Sequence, residues 1–424
     1  MQDDFFASSF HLNYHTRNAI VVRPGTDLAV VYNWIKSAQR DGAMGALAAD
    51  NWRCILLTPG VHTVAATLIL DTDYIAIVGM GGSREGTRIE GDFADAIVEQ
   101  AANIVALRGF TIYQANHGTG DPGTDASIGF LVNVSAGDNE GSVYHSMHFG
   151  SDWYSDGAGV AAPVYCNTVE KGTWWFCEAS DGSWRVPSGG TFSPTMYFCK
   201  AENYSYGGDG RANGIGSIGG TYYNCEGGDQ CWGGCMNYGL DILDSAKFYD
   251  CIAGDKSYAM GKDCAGTFYN CIGGDACFGG WDGASVNYGT FSGKAYNCHA
   301  NGQSFGSGHS AGCRNTGTMV NCEAIGMLNP IYAVGAEIRK CRLVVTVNNK
   351  DGIILKDSAT VVYDTDIIVY QGGTGIPIND DGGARNVVAA HNRFNNQSND
   401  ADGLGPNVTN LIGAAYNVVD DQIV

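Results

Sequence analysis

The chain has 424 residues and a net charge of −20, with 24 Lys and Arg against 44 Asp and Glu. Duplex nucleic acid and anionic membrane surfaces attract basic proteins, so the charge excludes both as main partners. Hydrophobic residues make up 44%, yet no apolar run reaches the roughly 18 residues that cross a bilayer, which describes a folded chain without membrane insertion.

The first residues, MQDDFFASSF, carry neither the basic nor the apolar stretch of a secretory leader. The 15 Cys are an odd number, which argues against a complete disulfide framework and for free thiols in a reducing cytoplasm. Asp27 is placed to cap a helix, because Leu28, Val31, Trp34 and Ile35 follow at helical spacing as far as Gly42. Residues 1–50 therefore read as an N-terminal arm and a helix that covers the open end of a repeat stack. Short β-branched runs come next, at Ile55-Leu56-Leu57, Leu68-Ile69-Leu70, Ile75-Ala76-Ile77-Val78 and Ile104-Val105-Ala106-Leu107, with turn residues between them. Segment 114–192 is irregular and rich in Gly, Asp and aromatics, as expected of loops on one face of a repeat fold.

The repeat shows best in segments that end in Cys: WWFC, MYFC, YYNC, FYDC, FYNC, AYNC, MVNC and IRKC. Their cysteines, Cys177 to Cys341, are separated by 22, 26, 26, 20, 27, 24 and 19 residues. Steps in the low twenties are too short for a helix-pair repeat or a propeller blade, and the 61 glycines favour short strands joined by tight turns. One coil of a parallel β-helix fits. Simple alternation along Tyr222-Tyr223-Asn224-Cys225-Glu226 puts Cys225 and Tyr223 inside, with Asn224 and Glu226 outside. Cys199, Cys225, Cys251, Cys271, Cys298, Cys322 and Cys341 are then expected to stack as small buried hydrophobes. Cys231 and Cys235 form a separate CxxxC pair. Strand-like runs continue through Leu343-Val344-Val345, Ile353-Ile354-Leu355, Val361-Val362-Tyr363 and Ile367-Ile368-Val369. The division is thus an arm and cap at 1–50, a parallel β-helix at 51–395 and a C-terminal coil or cap at 396–424.

Several of these runs resemble right-handed β-helix proteins of the pectate-lyase-like superfamily. Thr58-Pro59-Gly60-Val61-His62-Thr63 is similar to that family's turn after the first strand, and Ile104 to Ile112 to its later coil. His391-Asn392-Arg393-Phe394 is similar to a late coil of the same family. The resemblance implies an all-β fold, a right-handed single-stranded parallel β-helix with a short capping helix. It is nearest to phage tailspikes and other virion-associated β-helices. It implies a homotrimer that meets a bacterial surface glycan and other virion proteins, folded in the host cytoplasm and carried on the virion. A structural virion decoration and a secreted polysaccharide lyase or hydrolase are the alternative readings.

Candidate chemistry follows the Cys positions. Asp181, Asp229, Asp255 and Asp275 come four residues after a Cys, and Asp209 ends a longer version of the pattern. Glu178, Glu226 and Glu323 come one residue after, with His299 in the matching place. Carboxylates on neighbouring coils reach the spacings that glycosidases use, and crowding raises one member's pKa to supply an acid. Glu226, Asp229, Asp255 and Asp275 are the catalytic candidates on this reading. Gly-Gly-Asp is equally the chemistry of a turn. A Ca²⁺ ion would relieve stacked charge, although no calcium loop motif is present. Trp174, Trp175, Trp184 and Trp232, with Trp153, Tyr154 and Trp281, sit among Gly and Asp and are candidate platforms for sugar rings. His145 and His148 flank Asp152 as a weak metal pattern, and Lys256 and Arg211 stand beside Asp255 and Asp209 as candidate lyase cations.

Overall fold

The computed structural model describes residues 19–37, 45–93, 95–115, 128–134, 139–151, 162–166, 170–184, 190–206, 217–233, 240–259, 262–280, 289–308, 313–346, 351–355, 360–369, 378–380, 388–390, 392–396, 418–419 and 422–423. The single α-helix among them, α1 (Leu28–Ser37), starts where the sequence places it. One oxygen of Asp27 accepts the N–H groups of Ala29 and Val30 at 2.9 and 3.2 Å, satisfying two donors that the first turn leaves open. The buried face is Leu28, Tyr32 and Ile35, while Trp34 is exposed. Of the expected stripe, Leu28 and Ile35 are buried and Val31 is half-buried, while Tyr32 takes an inward place that was expected of Trp34. Lys36 pairs with Asp71 at 2.7 Å, and the Tyr32 hydroxyl accepts the Thr72 N–H at 3.0 Å. The buried Arg53 guanidinium donates to the Ile35 and Gly45 carbonyls, placing a cation at the negative end of the helix dipole.

The chain divides into two compact units, residues 1–184 with 194–200, and residues 185–193 with 201–424. Each unit is a parallel β-solenoid whose coils carry three short strands. In the first unit one coil reads Arg53–Leu57 on the first face, Gly60–Thr63 on the second and Leu68–Leu70 on the third, and Ile75–Gly79 returns to the first. In the second unit Thr221–Tyr223, Glu226–Gly227 and Asp241–Ile242 play the same parts before Lys247–Tyr249. Every strand pair described is parallel, except the antiparallel pair Val418–Val419 with Gln422–Ile423, and a bulge shifts the register of Glu323–Met327 on Arg342–Val345 between Ile325 and Met327. Parallel pairing needs a crossover, and here the rest of each coil supplies it.

The corner between the first and second faces explains why simple alternation misplaces one side chain. Asn224, Asp250, Asn270, Asn297 and Asn321 have φ of +50, +54, +54, +54 and +55°. A single left-handed residue turns the chain and breaks the two-residue period. Tyr222 is therefore buried and Tyr223 faces outward, the reverse of the expectation for Tyr223, while Cys225 remains inside and Asn224 and Glu226 remain outside. Asn and Asp are the side chains that tolerate this conformation best, which accounts for the recurrent Tyr-Asn-Cys.

The interior of the second unit is built from stacked columns. Tyr206, Trp232, Tyr258, Phe278 and Phe305 follow one another at centroid distances of 4.4, 5.2, 4.7 and 4.7 Å, all fully buried. Tyr222, Phe248 and Phe268 stack beside them at 4.7 and 4.8 Å. Offset or stacked pairs of this kind add roughly 0.5–1.5 kcal/mol beyond their buried area. Cys225, Cys251, Cys271, Cys298, Cys322 and Cys341 each follow the corner residue, and each is buried and free of disulfides. Burial pushes the thiols of Cys264, Cys271 and Cys277 well above the usual thiol range, so they act as small apolar groups. In the first unit Cys166, Cys177 and Cys199 are likewise buried and free. Cys235 lies outside the described residues.

Candidate functional site

The three aspartates Asp229, Asp255 and Asp275 stand at one position on consecutive coils, as their spacing predicts. Their role is set by what they accept. Oδ1 of Asp229 takes the N–H of Asp255 at 2.9 Å, and Oδ1 of Asp255 takes that of Asp275 at 2.7 Å. Asn203 begins the series by accepting from Asp229, and Asp275 ends it by accepting from Gln303, both at 2.8 Å. Each carboxylate thus fastens one coil to the next. The preceding glycine is part of the same joint. A Cβ on Gly254 would lie 2.1 Å from Oδ1 of Asp229, and one on Gly274 would lie 2.1 Å from Oδ1 of Asp255. The Gly-Gly-Asp repeat is therefore turn chemistry that also links coils. Glu226 stands apart on the second face, where its register partner is Ile252 rather than another acid. Asp209 and Arg211 lie outside the described residues.

The tryptophan platform needs correction. Trp174, Trp184 and Trp232 are fully buried. Trp174 stacks on Tyr144 at 3.8 Å and meets Trp184 edge-on at 5.5 Å, while Trp232 belongs to the interior column described above. A ring with no exposed surface cannot receive a sugar. Trp175 is half-buried on the outside of the first face and stacks on Tyr197 at 3.7 Å. Trp153, Tyr154 and Trp281 lie outside the described residues.

A second row of rings does face outward. Tyr223, Tyr249, Tyr269 and Tyr296 stand on the first face of the second unit at successive centroid distances of 4.9, 5.2 and 5.0 Å. Their planes lie within 12° of parallel, so each ring covers the faces of its neighbours and leaves its edge to solvent. Beside them runs a row of corner amides. Asn270 donates to Asp250 at 2.9 Å, Asn297 to Asn270 at 3.1 Å and Asn321 to Asn297 at 2.8 Å. Thr221, Lys247, Thr267 and Lys294 occupy the outward positions on the other side of the rings.

One charged constellation is assembled across coils on the second face. Glu323 meets Nδ1 of His299 at 3.0 Å and Nη1 of Arg342 at 2.7 Å, each through a different carboxylate oxygen. The register pairs His299 with Glu323 and Glu323 with Arg342. The sequence indicates His299 and Glu323 through their place after a Cys. Arg342 follows Cys341 in the same way and was the member missed. His145 and His148 fall on opposite sides of the left-handed corner at Ser146 (φ +52°) and so occupy different faces. Burial, aided by nearby Arg108, lowers the His145 pKa to about 4. Asp152 lies outside the described residues. Among the described residues no group of three or more His, Cys, Asp or Glu is placed to hold a metal ion.

No protein-family model and no curated protein matches the sequence. Among solved structures the chain is similar to the catalytic domain of a GH87 α-1,3-glucanase in complex with nigerose, at 10% identity and a TM-score of 0.41, covering 93% of this chain and 70% of that one. It is similar to the Dettilon tailspike protein at 12% identity and a TM-score of 0.30, covering 96% and 67%. For the ORF18 protein of Geobacillus virus E2 the figures are 11% and 0.29, covering 92% of this chain and 63% of that one. The chain thus spans less than two thirds of that viral protein. Likenesses this distant place no substrate and no catalytic residue here. The β-solenoid is read from the strand pairing itself.

Proposed function

We propose that the chain is a polysaccharide-binding β-helix that serves as a tailspike-like protein on a virion. The observation that carries this reading is the outward file Tyr223, Tyr249, Tyr269 and Tyr296 beside the amide file Asn270, Asn297 and Asn321. Both repeat once per coil, along the direction in which an extended polymer would lie. Because neighbouring rings cover one another's faces, a sugar chain would meet phenol edges, hydroxyls and amides. Such a surface binds through hydrogen bonds and edge contacts. The buried free cysteines of both units support assembly in a reducing cytoplasm, where virions are made, rather than export through an oxidising route. A homotrimer that contacts other virion proteins belongs to the same proposal, and sedimentation of the full chain tests it.

The test is retention on a panel of bacterial capsular and exopolysaccharides. Wild-type chain should be retarded by at least one, and Tyr249→Ala with Tyr269→Ala should weaken that retention by roughly tenfold or more. Equal retention of the double variant would overturn the assignment of the surface. No retention by any glycan would favour a structural virion protein.

The His299, Glu323 and Arg342 constellation favours a second reading, in which the chain also cleaves its glycan as a hydrolase or lyase. Glu323 engages Nδ1 of His299, and in the tautomer whose proton lies on that nitrogen, Nε2 can accept one, the arrangement of an oriented general base. Reducing-end release and the absorbance of unsaturated ends would report cleavage. His299→Ala should then lower the rate by roughly a hundredfold or more, and Asp255→Asn should leave activity in place. The opposite pattern would return the chemistry to the aspartates Asp229, Asp255 and Asp275.

A further inference from the structure

The first unit holds a buried carboxylate with no cation paired to it among the described residues. Glu170 has no solvent exposure. Its Oε1 accepts the N–H of Gly172 at 2.8 Å and the indole N–H of Trp174 at 3.0 Å. Its Oε2 accepts from the Asn139 amide at 2.7 Å and faces Sγ of Cys166 at 3.8 Å. The chain of hydrogen bonds continues well beyond it. The Asn139 amide also reaches the Tyr144 hydroxyl at 3.0 Å, and Tyr144 donates to Oε1 of Gln100 at 2.5 Å. Gln100 donates to the Ser142 hydroxyl at 2.9 Å, which in turn accepts the N–H of Val105 at 3.1 Å. Gln100, Asn139 and Ser142 are fully buried as well.

This network ties together three consecutive coils, through residues 100–105, 139–144 and 166–174. The titratable groups that face Glu170 are Tyr144 on Val143–His145 and Cys166 on Ala162–Cys166. Trp174, Asn139 and Gln100, from the other segments packed around it, are neutral. Among the described residues, the charged or titratable residues adjoining these segments are Glu99, His145 and Lys171, which are half-buried, and Glu140, which is exposed. A negative charge here would be fully buried, with amide, indole and thiol donors but no counter-ion among the described residues, and such a site disfavours the ion.

We propose that Glu170 is a proton switch of the first unit, neutral in acid, where it completes the polar network, and charged in alkali, where it loosens the coils around it. In the neutral form Oε2 keeps a partner by donating to Cys166. Burial raises the Glu170 pKa from its ordinary value of 4.5 to about 7. Since the folded value lies above the unfolded one, the contribution is fully present below about 4.5 and is lost as pH rises through about 7. This inference is independent of the polysaccharide reading.

The experiment is denaturant unfolding of the full chain, under reducing conditions, from pH 4.5 to 9. Glu170→Gln removes the carboxyl, while burial holds the neighbouring Tyr144 and Cys166 well above their ordinary values. Between about pH 4.5 and 7 the wild-type folded-to-unfolded ratio should fall, relative to that of the variant, by about tenfold per pH unit. Parallel pH profiles for the two proteins would overturn the proposal. If the variant does not fold, the wild-type infrared spectrum decides. At pH 6 exposed carboxyls are ionised, so a carbonyl band of a protonated, buried carboxylic acid is expected there and should fade through about pH 7. Absence of that band at pH 6 would equally overturn it.

Discussion

The second unit contains two files of stacked rings that look alike in spacing and differ in everything else. Tyr206, Trp232, Tyr258, Phe278 and Phe305 run through the interior, while Tyr223, Tyr249, Tyr269 and Tyr296 run along the outside. Centroid spacings are 4.4–5.2 Å in the first file and 4.9–5.2 Å in the second. A solenoid stacks whatever each coil repeats, at about the 4.8 Å distance between strands. Stacking by itself therefore identifies no site. The inner file is a core. The outer one leaves ring edges and hydroxyls at the surface, and the proposed glycan surface rests on that exposure.

The comparison breaks most sharply at Trp232. Trp232→Ala should destabilise the chain by about 3–5 kcal/mol in urea unfolding, because it opens a cavity between Tyr206 and Tyr258. A loss below about 1 kcal/mol would remove Trp232 from the core. Next in size is the joint between coils. Gly274→Ala should cost about 1–3 kcal/mol, because the new methyl meets Oδ1 and the backbone nitrogen of Asp255. Asp255→Ala alone should cost about 1 kcal/mol through its lost hydrogen bond to the N–H of Asp275. Combined, the two should cost less than their sum, and strict additivity in the double-mutant cycle would separate glycine from aspartate. On the outer file Tyr269→Ala should cost about 1 kcal/mol, through its lost stacks on Tyr249 and Tyr296. If it unfolded the protein as Trp232→Ala does, the outer file would be structural. Tyr258→Phe removes a hydroxyl that is buried without a hydrogen-bond partner among the described residues, so it should be neutral or stabilise by up to about 1 kcal/mol. A clear destabilisation would reveal a hidden partner for that hydroxyl.

Much of the fold is legible in the sequence because a coil repeats its punctuation. The Cys steps give the coil length, Asp27 marks the helix start, and Gly-Gly-Asp marks a turn. The orientation of Tyr223 was misread because alternation assumes an unbroken strand, and the left-handed Asn224 reverses the faces between Tyr223 and Cys225. The tryptophans were misread for a related reason. Glycines beside Trp174 and Trp232 suggest open loops, but they make room for packed neighbours. A Cβ on Gly227 would lie 2.7 Å from the Trp232 indole, and one on Gly172 would lie 2.6 Å from the Tyr144 ring. Sequence spacing does bring His299 near Glu323, one coil apart. It gives no hint that Glu170, in the irregular stretch before Trp174, closes an interior network: Trp174 lies in a Cys-ended repeat, but Glu170, Asn139 and Cys166 lie outside those repeats.

The hydrogen bond from each aspartate to the next coil has a genealogical consequence. The acid of one coil and the glycine of the following coil occupy a single volume, so neither can drift alone. The unit that evolution can copy or delete is then the interval from one joint to the next, a whole turn of the spiral. Such a protein can grow or shrink in length by entire coils while every surviving joint still fits.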